Sequence, residues 1–560
     1  MHLDWFWIGN YKNLRDVRVD FDQDQWVTVV IGWNGTGKSN VLEALATLFR
    51  DLVMGENLIG EKNRPSFPYK LRYECRGQWV YIDADPRRER DAYIIRVISK
   101  SDQGHSPENQ GDLKLVNEGK LEWSKQAAQI SITQFLRQQD AYLPRYVFGY
   151  YSGTSDRLEG VFRKYLVQYD KFLRAGKDPG LRRLFYALPV HSQFVLLAFI
   201  LQQDHHAVKQ LLDVQLGLEA DGGIDSVLFV LKQPPWDRTK DQELFWGARG
   251  IVRDFLDRLH KIALAPIRIS RRVEASLWNK KTRGFRYLYV KDLSSLREVV
   301  GGRSPSEFFR DLESTYVSEL VDEVRIRVKL RKNDGSVTFR ELSEGEQQLL
   351  TVLGLLRFTA EDESLFLLDE PDTHLNPKWC VDYLRHLGDF VGGSDRERTT
   401  SHIVMTTHNP LAVAELAKEQ VQILQRDPEN LRIHAVSPEI DPRGMGYSGI
   451  VTSDMFGLAA ALDTHTRELL EEKRQLAGKE ESLTNAERDR LEQINLELEG
   501  YGFRYEMRDP VFAEYLRARY ESEQQAPEQE KMAKLTPAER REKAKRLVRE
   551  ALQHAGDTRK

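Results

Sequence analysis

The chain has 560 residues, with 82 Lys and Arg against 86 Asp and Glu for a net charge of −4, and is 41% hydrophobic and 30% charged. That balance excludes collagen-like, low-complexity and membrane-embedded chains and shows no global basic excess of a nucleic-acid binder, while the length calls for roughly two to four domains. Cys75 and Cys380 are the two cysteines; far apart and without metal-ligand spacing, they support neither a disulfide framework nor a zinc site.

The opening MHLDWFWIGN lacks the cationic and apolar pattern of a secretory leader. The longest apolar run, Gln193 to Leu201, is half of the roughly 20 residues a membrane helix needs. A cytoplasmic protein without membrane contact is expected.

Trp26 to Gly32, WVTVVIG, is a continuous β-branched run of the kind found in a strand buried on both faces. It leads into IGWNGTGKSN, after which Val41, Leu42, Leu45, Leu48 and Phe49 recur at helical spacing. Strand, glycine loop and helix form the context of a phosphate loop, and Gly32, Gly37, Lys38 and Ser39 fit GxxxxGK[ST]. In that pattern backbone N–H groups cradle phosphates, Lys38 reaches the β and γ oxygens, and Ser39 holds Mg²⁺.

Between Tyr69 and Trp123 alternating segments (YKLRYEC, QWVYIDA, AYIIRVIS, GDLKLVNEG) predict an antiparallel β lobe beside the parallel core. From Asp156 to Leu320 helical patterns dominate, interrupted by KQPPWDR and a strand-like patch at FRYLYV, and predict a helical insertion. Within it, Arg268 to Lys291 carries eight basic residues against one acid, with Trp278, Phe285, Tyr287 and Tyr289 interleaved. Such a stripe suits phosphates and stacked bases, or equally a solvated strand pair with inward aromatics.

Core character returns with VRIRVKL, LFLLDE and SHIVMTTH. Leu365 to Leu368 deliver Asp369 and Glu370 to a strand end, Asp369 suited to Mg²⁺ and Glu370 to orienting or deprotonating a water. Twenty-six residues earlier, Ser343 and Gly345 open the helix of LSEGEQQLL, whose N-terminus favours an anion supplied from outside. His408 follows the apolar strand IVMTT, where a ring nitrogen could touch the same phosphate.

GWNGTGKS, LSEGEQQ, LLDEPDTHLNP and TTHNP, in that order, resemble the Walker A, signature, Walker B with D-loop, and H-loop motifs of ABC-type ATPases. The resemblance is to the soluble branch that includes structural-maintenance-of-chromosomes, RecF-like and overcoming-lysogenization-defect proteins. It implies an α/β P-loop head with an antiparallel β side lobe, a helical insertion and a helical C-terminal extension. It also implies ATP and Mg²⁺ held in a head-to-head homodimer or higher oligomer. Ser343, Gly345 and Glu346 of one protomer would complete a site formed by Asn34, Gly35, Thr36, Gly37, Lys38, Ser39, Asn40, Asp369, Glu370 and His408 of another. Lys12 and Asn13 occupy the turn where relatives touch the nucleotide. Glu344 stands where transporters carry glycine, and Asn376 where they carry Asp. Two positions are open for the Q-loop: Gln134 in SITQF, and the strand RYVFGYY with Ser152.

The order of parts divides the chain into an N-terminal head portion with the β lobe (1–155), the insertion (156–322), a C-terminal head portion (323–448), a helical hairpin and partner-binding extension (449–520), and a linker with a basic terminal helix (521–560). YVFGYYSGTSDRLE and the stretch from MFGLAAALDTHTRELLEEKRQL to RDPVFAEYLRARY are similar to the ATPase subunits of Septu-type anti-phage systems, including those that accompany retrons. That likeness implies a separate HNH nuclease as partner, with DNA or a retron RNA–DNA contacted through Arg268 to Lys291. The alternative is a RecF-like repair or chromosome-maintenance ATPase clamping DNA. A self-contained toxin is a third class, disfavoured because the sequence holds no nuclease constellation.

Overall fold

The computed structural model describes residues 1–99, 127–202, 205–218, 223–237, 242–276, 279–331, 336–359, 363–391, 400–427, 429–458, 461–477 and 484–501. The expected strand at GDLKLVNEG, residue Trp278, the helix starting at Asp509 and the basic helix at 538–550 lie outside them. The chain forms two compact units, Met1–Gly457 and Leu458–Lys560.

A seven-stranded sheet organises the first unit. Its order across the sheet is Ile433–Val436, Val421–Arg426, Val27–Gly32, His402–Thr406, Leu365–Asp369, Val147–Tyr151 and Leu184–Tyr186. All neighbours are parallel except the first pair. Its central strands are buried on both faces, which is why they read as unbroken apolar runs rather than alternations. Val29, Phe366, Leu368, Ile403 and Met405 join one core, while Val30, Leu365, Leu367 and Val404 join the other.

The second of those cores holds helix Lys38–Met54 and a six-stranded antiparallel sheet. That sheet runs Leu14–Asp20, His2–Tyr11, Tyr69–Cys75, Gln78–Ala84, Tyr93–Ser99 and Ala128–Ile130. The first core holds helices Val190–Phe199, Glu344–Thr359 and Pro377–Val391. The apolar run at Gln193 to Leu201 is thus interior helix, with Phe194 to Phe199 fully buried.

The stretch expected to be a helical insertion is mixed. Ile224–Lys232, Leu264–Ser276 and Asn279–Val290 join Val321–Lys329 and Ser336–Thr338 in a five-stranded antiparallel sheet. Helices Gly250–Ile262, Leu293–Val300 and Pro305–Val317 contribute to the same core as that sheet. Helix Gly446–Thr452 also lies in the first unit, which closes at Gly457 rather than at residue 448.

In the second unit, helices Thr464–Ala477 and Asn485–Gly500 form the expected hairpin around Leu469, Leu476, Ile494 and Leu498. Thr484 caps the second helix: its Oγ1 accepts the Glu487 N–H at 3.3 Å, and Glu487 Oε2 accepts the Thr484 N–H at 2.9 Å.

Candidate active site

The phosphate loop leaves the C-terminal end of strand Val27–Gly32 and enters helix Lys38–Met54 at Gly37. Gly37 has φ +92°, and a Cβ there would lie 2.9 Å from Asn13 Oδ1 and 2.8 Å from a Leu14 methyl, so both backbone conformation and space require glycine. Asn13 accepts from Asn40 Nδ2 at 2.6 Å and donates to the Gly35 carbonyl at 3.0 Å. Arg426 donates to that same carbonyl at 3.1 Å. Thr36 closes the turn by donating its hydroxyl to the Trp33 carbonyl at 2.7 Å. Lys12, expected at the nucleotide, is bound to both Glu43 carboxylate oxygens at 2.5 and 2.6 Å, tying its turn to the loop's helix.

Lys38 Nζ donates to the Gly32 carbonyl at 2.8 Å. Burial pushes its ammonium below the ordinary value, opposed by the charges of Glu370 and Asp369. A desolvated cation beside a cradle of backbone N–H groups is suited to an anion of high charge.

Ser39 Oγ donates to Asp369 Oδ1 at 3.0 Å, joining the helix to the neighbouring acid strand. Burial raises the Asp369 carboxyl, and hydrogen bonds from Thr406 and Ser39 pull it back down. This pair, one hydroxyl and one carboxylate, fits a hard divalent cation that takes its remaining oxygens from phosphates and water. Among the described residues no group of three or more His, Cys, Asp or Glu forms an all-protein metal cage.

Glu370 follows at φ +51°, a left-handed conformation that costs a non-glycine residue about 1–3 kcal/mol and clusters at functional sites. Its carboxylate lies 3.2 Å from His408 Nδ1. Loop, acid pair and histidine therefore meet at the C-terminal edge of adjacent parallel strands, where open α/β sheets bind ligands. Of the two Q-loop positions, Ser152 is against this edge, its N–H donating to the Asp369 carbonyl at 3.3 Å. Gln134 sits in helix Ile132–Arg137, its N–H capped by Ser131.

Ser343 is exposed at the start of helix Glu344–Thr359. Its N–H and hydroxyl donate to Glu346 Oε2 at 2.7 and 2.8 Å, and its oxygen accepts the Glu346 N–H at 3.3 Å. Gly345 is buried against the D-loop; a Cβ there would come within 2.4 Å of the His374 carbonyl oxygen. Glu344, exposed, faces His374 Nδ1 at 3.4 Å. Phosphate loop, acid pair and histidine share one sheet edge, and a signature helix presents its end on the surface. The arrangement is that of a P-loop ATPase site, similar to those of the ABC type.

A family model described as "AAA ATPase domain" matches residues 1–79, and one described as "AAA domain, putative AbiEii toxin, Type IV TA system" matches residues 237–414. The chain is similar to the Septu protein PtuA of Bacillus mycoides, 23% identical over 26% of this chain and 21% of that protein. It is also similar to the "Retron Vc95 probable ATPase" of Vibrio cholerae, 27% identical over 24% of this chain and 27% of that one. The match thus spans between about a fifth and just over a quarter of these relatives' length. Among solved structures, an Smc head bound to the C-terminal winged-helix domain of ScpA aligns over 78% of this chain and 98% of that one, at TM-score 0.31 and 12% identity.

Sequence reasoning missed two side chains of this ATPase site. Arg426 braces the phosphate loop from the next strand, and Thr406 contacts both acids. Thr406 pairs with Asp369, and Arg426 lies two residues beyond Leu424, the partner of Gly32; register between strands far apart in sequence is not written locally.

Proposed function

We propose that this ATPase hydrolyses ATP with Mg²⁺, closes into a head-to-head dimer on ATP, and gates a separate HNH nuclease in anti-phage defence. The observation that carries the reading is the split of the site. Lys38, Ser39, Asp369, Glu370 and His408 gather at one edge, while Ser343 displays an exposed helix N-terminus suited to the γ-phosphate held by another copy.

When bound, Mg²⁺ would be held by Ser39 and Asp369 and would neutralise charge developing on the phosphates. Glu370 takes the proton of the attacking water, and its fixed backbone aims the carboxylate. His408 steadies that carboxylate and reaches toward the γ-phosphate. Lys38 stabilises the phosphate charge. Bridging of two copies by a triphosphate makes assembly depend on ATP, and the closed population licenses the nuclease. Similarity to the Septu and retron proteins supports the defence role.

The basic hairpin supports a second reading in which the heads clamp DNA. Strand Leu264–Ser276 is an exposed sheet edge carrying Arg271 and Arg272, and Arg271 lies 3.9 Å over the buried ring of Phe285. That packing turns Phe285 inward, while Tyr289 is exposed and Tyr287 partly so. A DNA-binding surface here serves either reading.

Glu370→Gln and Lys38→Ala separate the assigned roles. Glu370→Gln is expected to bind ATP, lose hydrolysis and accumulate as dimer in analytical ultracentrifugation, whereas Lys38→Ala loses nucleotide binding itself. Equal loss of ATP binding in both variants contradicts the reading. Co-purification of the neighbouring reading frame's product tests the nuclease partner.

A further inference from the structure

Three consecutive side chains at the end of strand His402–Thr406 each take one acid of the Walker B and D-loop segment. Thr406 Oγ1 donates to Asp369 Oδ1, Thr407 Oγ1 donates to Asp372 Oδ2 at 2.8 Å, and His408 Nδ1 faces Glu370 Oε1 at 3.2 Å. Thr406 does more than its neighbours. The same hydroxyl oxygen accepts the Glu370 N–H at 3.1 Å, and the Thr406 carbonyl oxygen also lies 3.1 Å from that nitrogen. One fully buried side chain therefore contacts both acids assigned to the chemistry.

The direction of these bonds is set by chemistry. A hydroxyl has one proton and two lone pairs, an ionised carboxylate can only accept, and an amide N–H can only donate. The Thr406 proton goes to Asp369, and a lone pair receives Glu370. Ser39 donates to the same Asp369 oxygen, so both hydroxyls converge on Oδ1. Glu370 meanwhile holds φ +51°, which persists only where the surroundings over-determine it. The paired register Asp369 with Thr406 brings the hydroxyl to this place, and its methyl fills the packed sheet.

We infer that Thr406 is the positioning residue of the hydrolytic site, setting with one hydroxyl the orientation of the cation-holding Asp369 and the backbone of the water-directing Glu370. The inference rests on the ATPase reading above. A packing role alone needs only the shape of the side chain; positioning needs the oxygen.

The test compares Thr406→Val, which keeps the shape, with Thr406→Ser, which keeps the oxygen, in steady-state ATP hydrolysis, ATP affinity by calorimetry and thermal melting of the full chain. Thr406→Val is expected to lose about 10- to 100-fold in kcat, the scale of a misplaced reacting group, with ATP affinity changed less than about threefold. Thr406→Ser is expected to recover kcat to within about threefold of wild type. Should the valine variant not fold, Thr406→Ala against Thr406→Ser, which differ by that one oxygen, carries the same comparison. Wild-type kcat in Thr406→Val, or a Thr406→Ser variant as slow as its oxygen-lacking counterpart, overturns the inference while leaving the ATPase reading intact. No turnover in the wild type overturns that reading, and this inference with it.

Discussion

Ser39 Oγ donates to Asp369 Oδ1 across 3.0 Å, although 330 positions separate the two residues in the chain. The contact joins the phosphate-loop helix to the acid strand at one edge, and it places the two oxygens that would share a cation. Asp369→Asn keeps size and one acceptor but removes the charge. Its hydrolysis is expected to fall by about 100-fold or more, on the scale of losing one electrostatic stabiliser in an active site. Rate measured against Mg²⁺ concentration checks this, and a variant with an unchanged Mg²⁺ requirement would remove Asp369 from the cation's coordination.

Such contacts show what was legible in the sequence and what was not. The strands at Val27, Leu365 and His402 announced themselves because burial on both faces demands uninterrupted apolar residues. The acids and the lysine were legible because their chemistry needs fixed residue types at fixed offsets. Ile224–Lys232 was not, since a short apolar run reads as helix or strand alike, and its partner Val321–Lys329 is nearly a hundred residues away. Thr406 escaped for a related reason. A threonine near the end of a strand is ordinary until the parallel register puts it beside Asp369.

His402 makes stability depend on pH from inside the sheet. The ring is fully buried; Nδ1 accepts the Leu3 N–H at 3.0 Å, so the proton sits on Nε2, 3.1 Å from Thr28 Oγ1. Burial holds its pKa well below the ordinary value, with His2 and the N-terminal ammonium pushing the same way. Between the folded and unfolded values the unfolded chain binds more protons, so stability is full above the unfolded pKa and falls with pH below it, by up to about 1.4 kcal/mol per pH unit. Asp51, raised by burial to about 6, acts in the opposite sense, contributing stability that is lost as pH rises. Melting curves of wild type and His402→Gln from about pH 8 to about pH 5 isolate the histidine. The difference between them is expected to shrink as pH falls, and a constant difference would contradict the assignment.

Gly345 ties the signature helix to the D-loop through contact distance alone. With a Cβ only 2.4 Å from the His374 carbonyl oxygen, Gly345→Ala must shift backbone, because the opposing atom is not the end of a flexible side chain. Overpacking of this kind costs about 1–3 kcal/mol. The melting temperature is expected to drop, and ATP-driven association to weaken more than ATP binding to the isolated protomer, since Lys38 and Ser39 are untouched. Unaltered stability in Gly345→Ala would mean that the D-loop is free to retreat.

The composite site makes a prediction that a one-chain site cannot. Lys38→Ala removes the phosphate grip of its own protomer, and Ser343→Arg blocks the signature end that its protomer lends to another. Each variant alone is expected to be inactive, because any pair of its copies has both sites broken. Mixing them one to one gives heterodimers in which one site joins an intact Lys38 to an intact Ser343, while the other carries both defects. Random pairing in a two-fold dimer places about a quarter of all sites in the intact class, so the mixture should recover up to about a quarter of wild-type hydrolysis. Recovery that is lost on dilution, together with the dimer, ties activity to the shared pocket. A mixture as inactive as its components would refute the exchange of Ser343 between copies, whereas full activity in Ser343→Arg alone would show that hydrolysis needs no second chain.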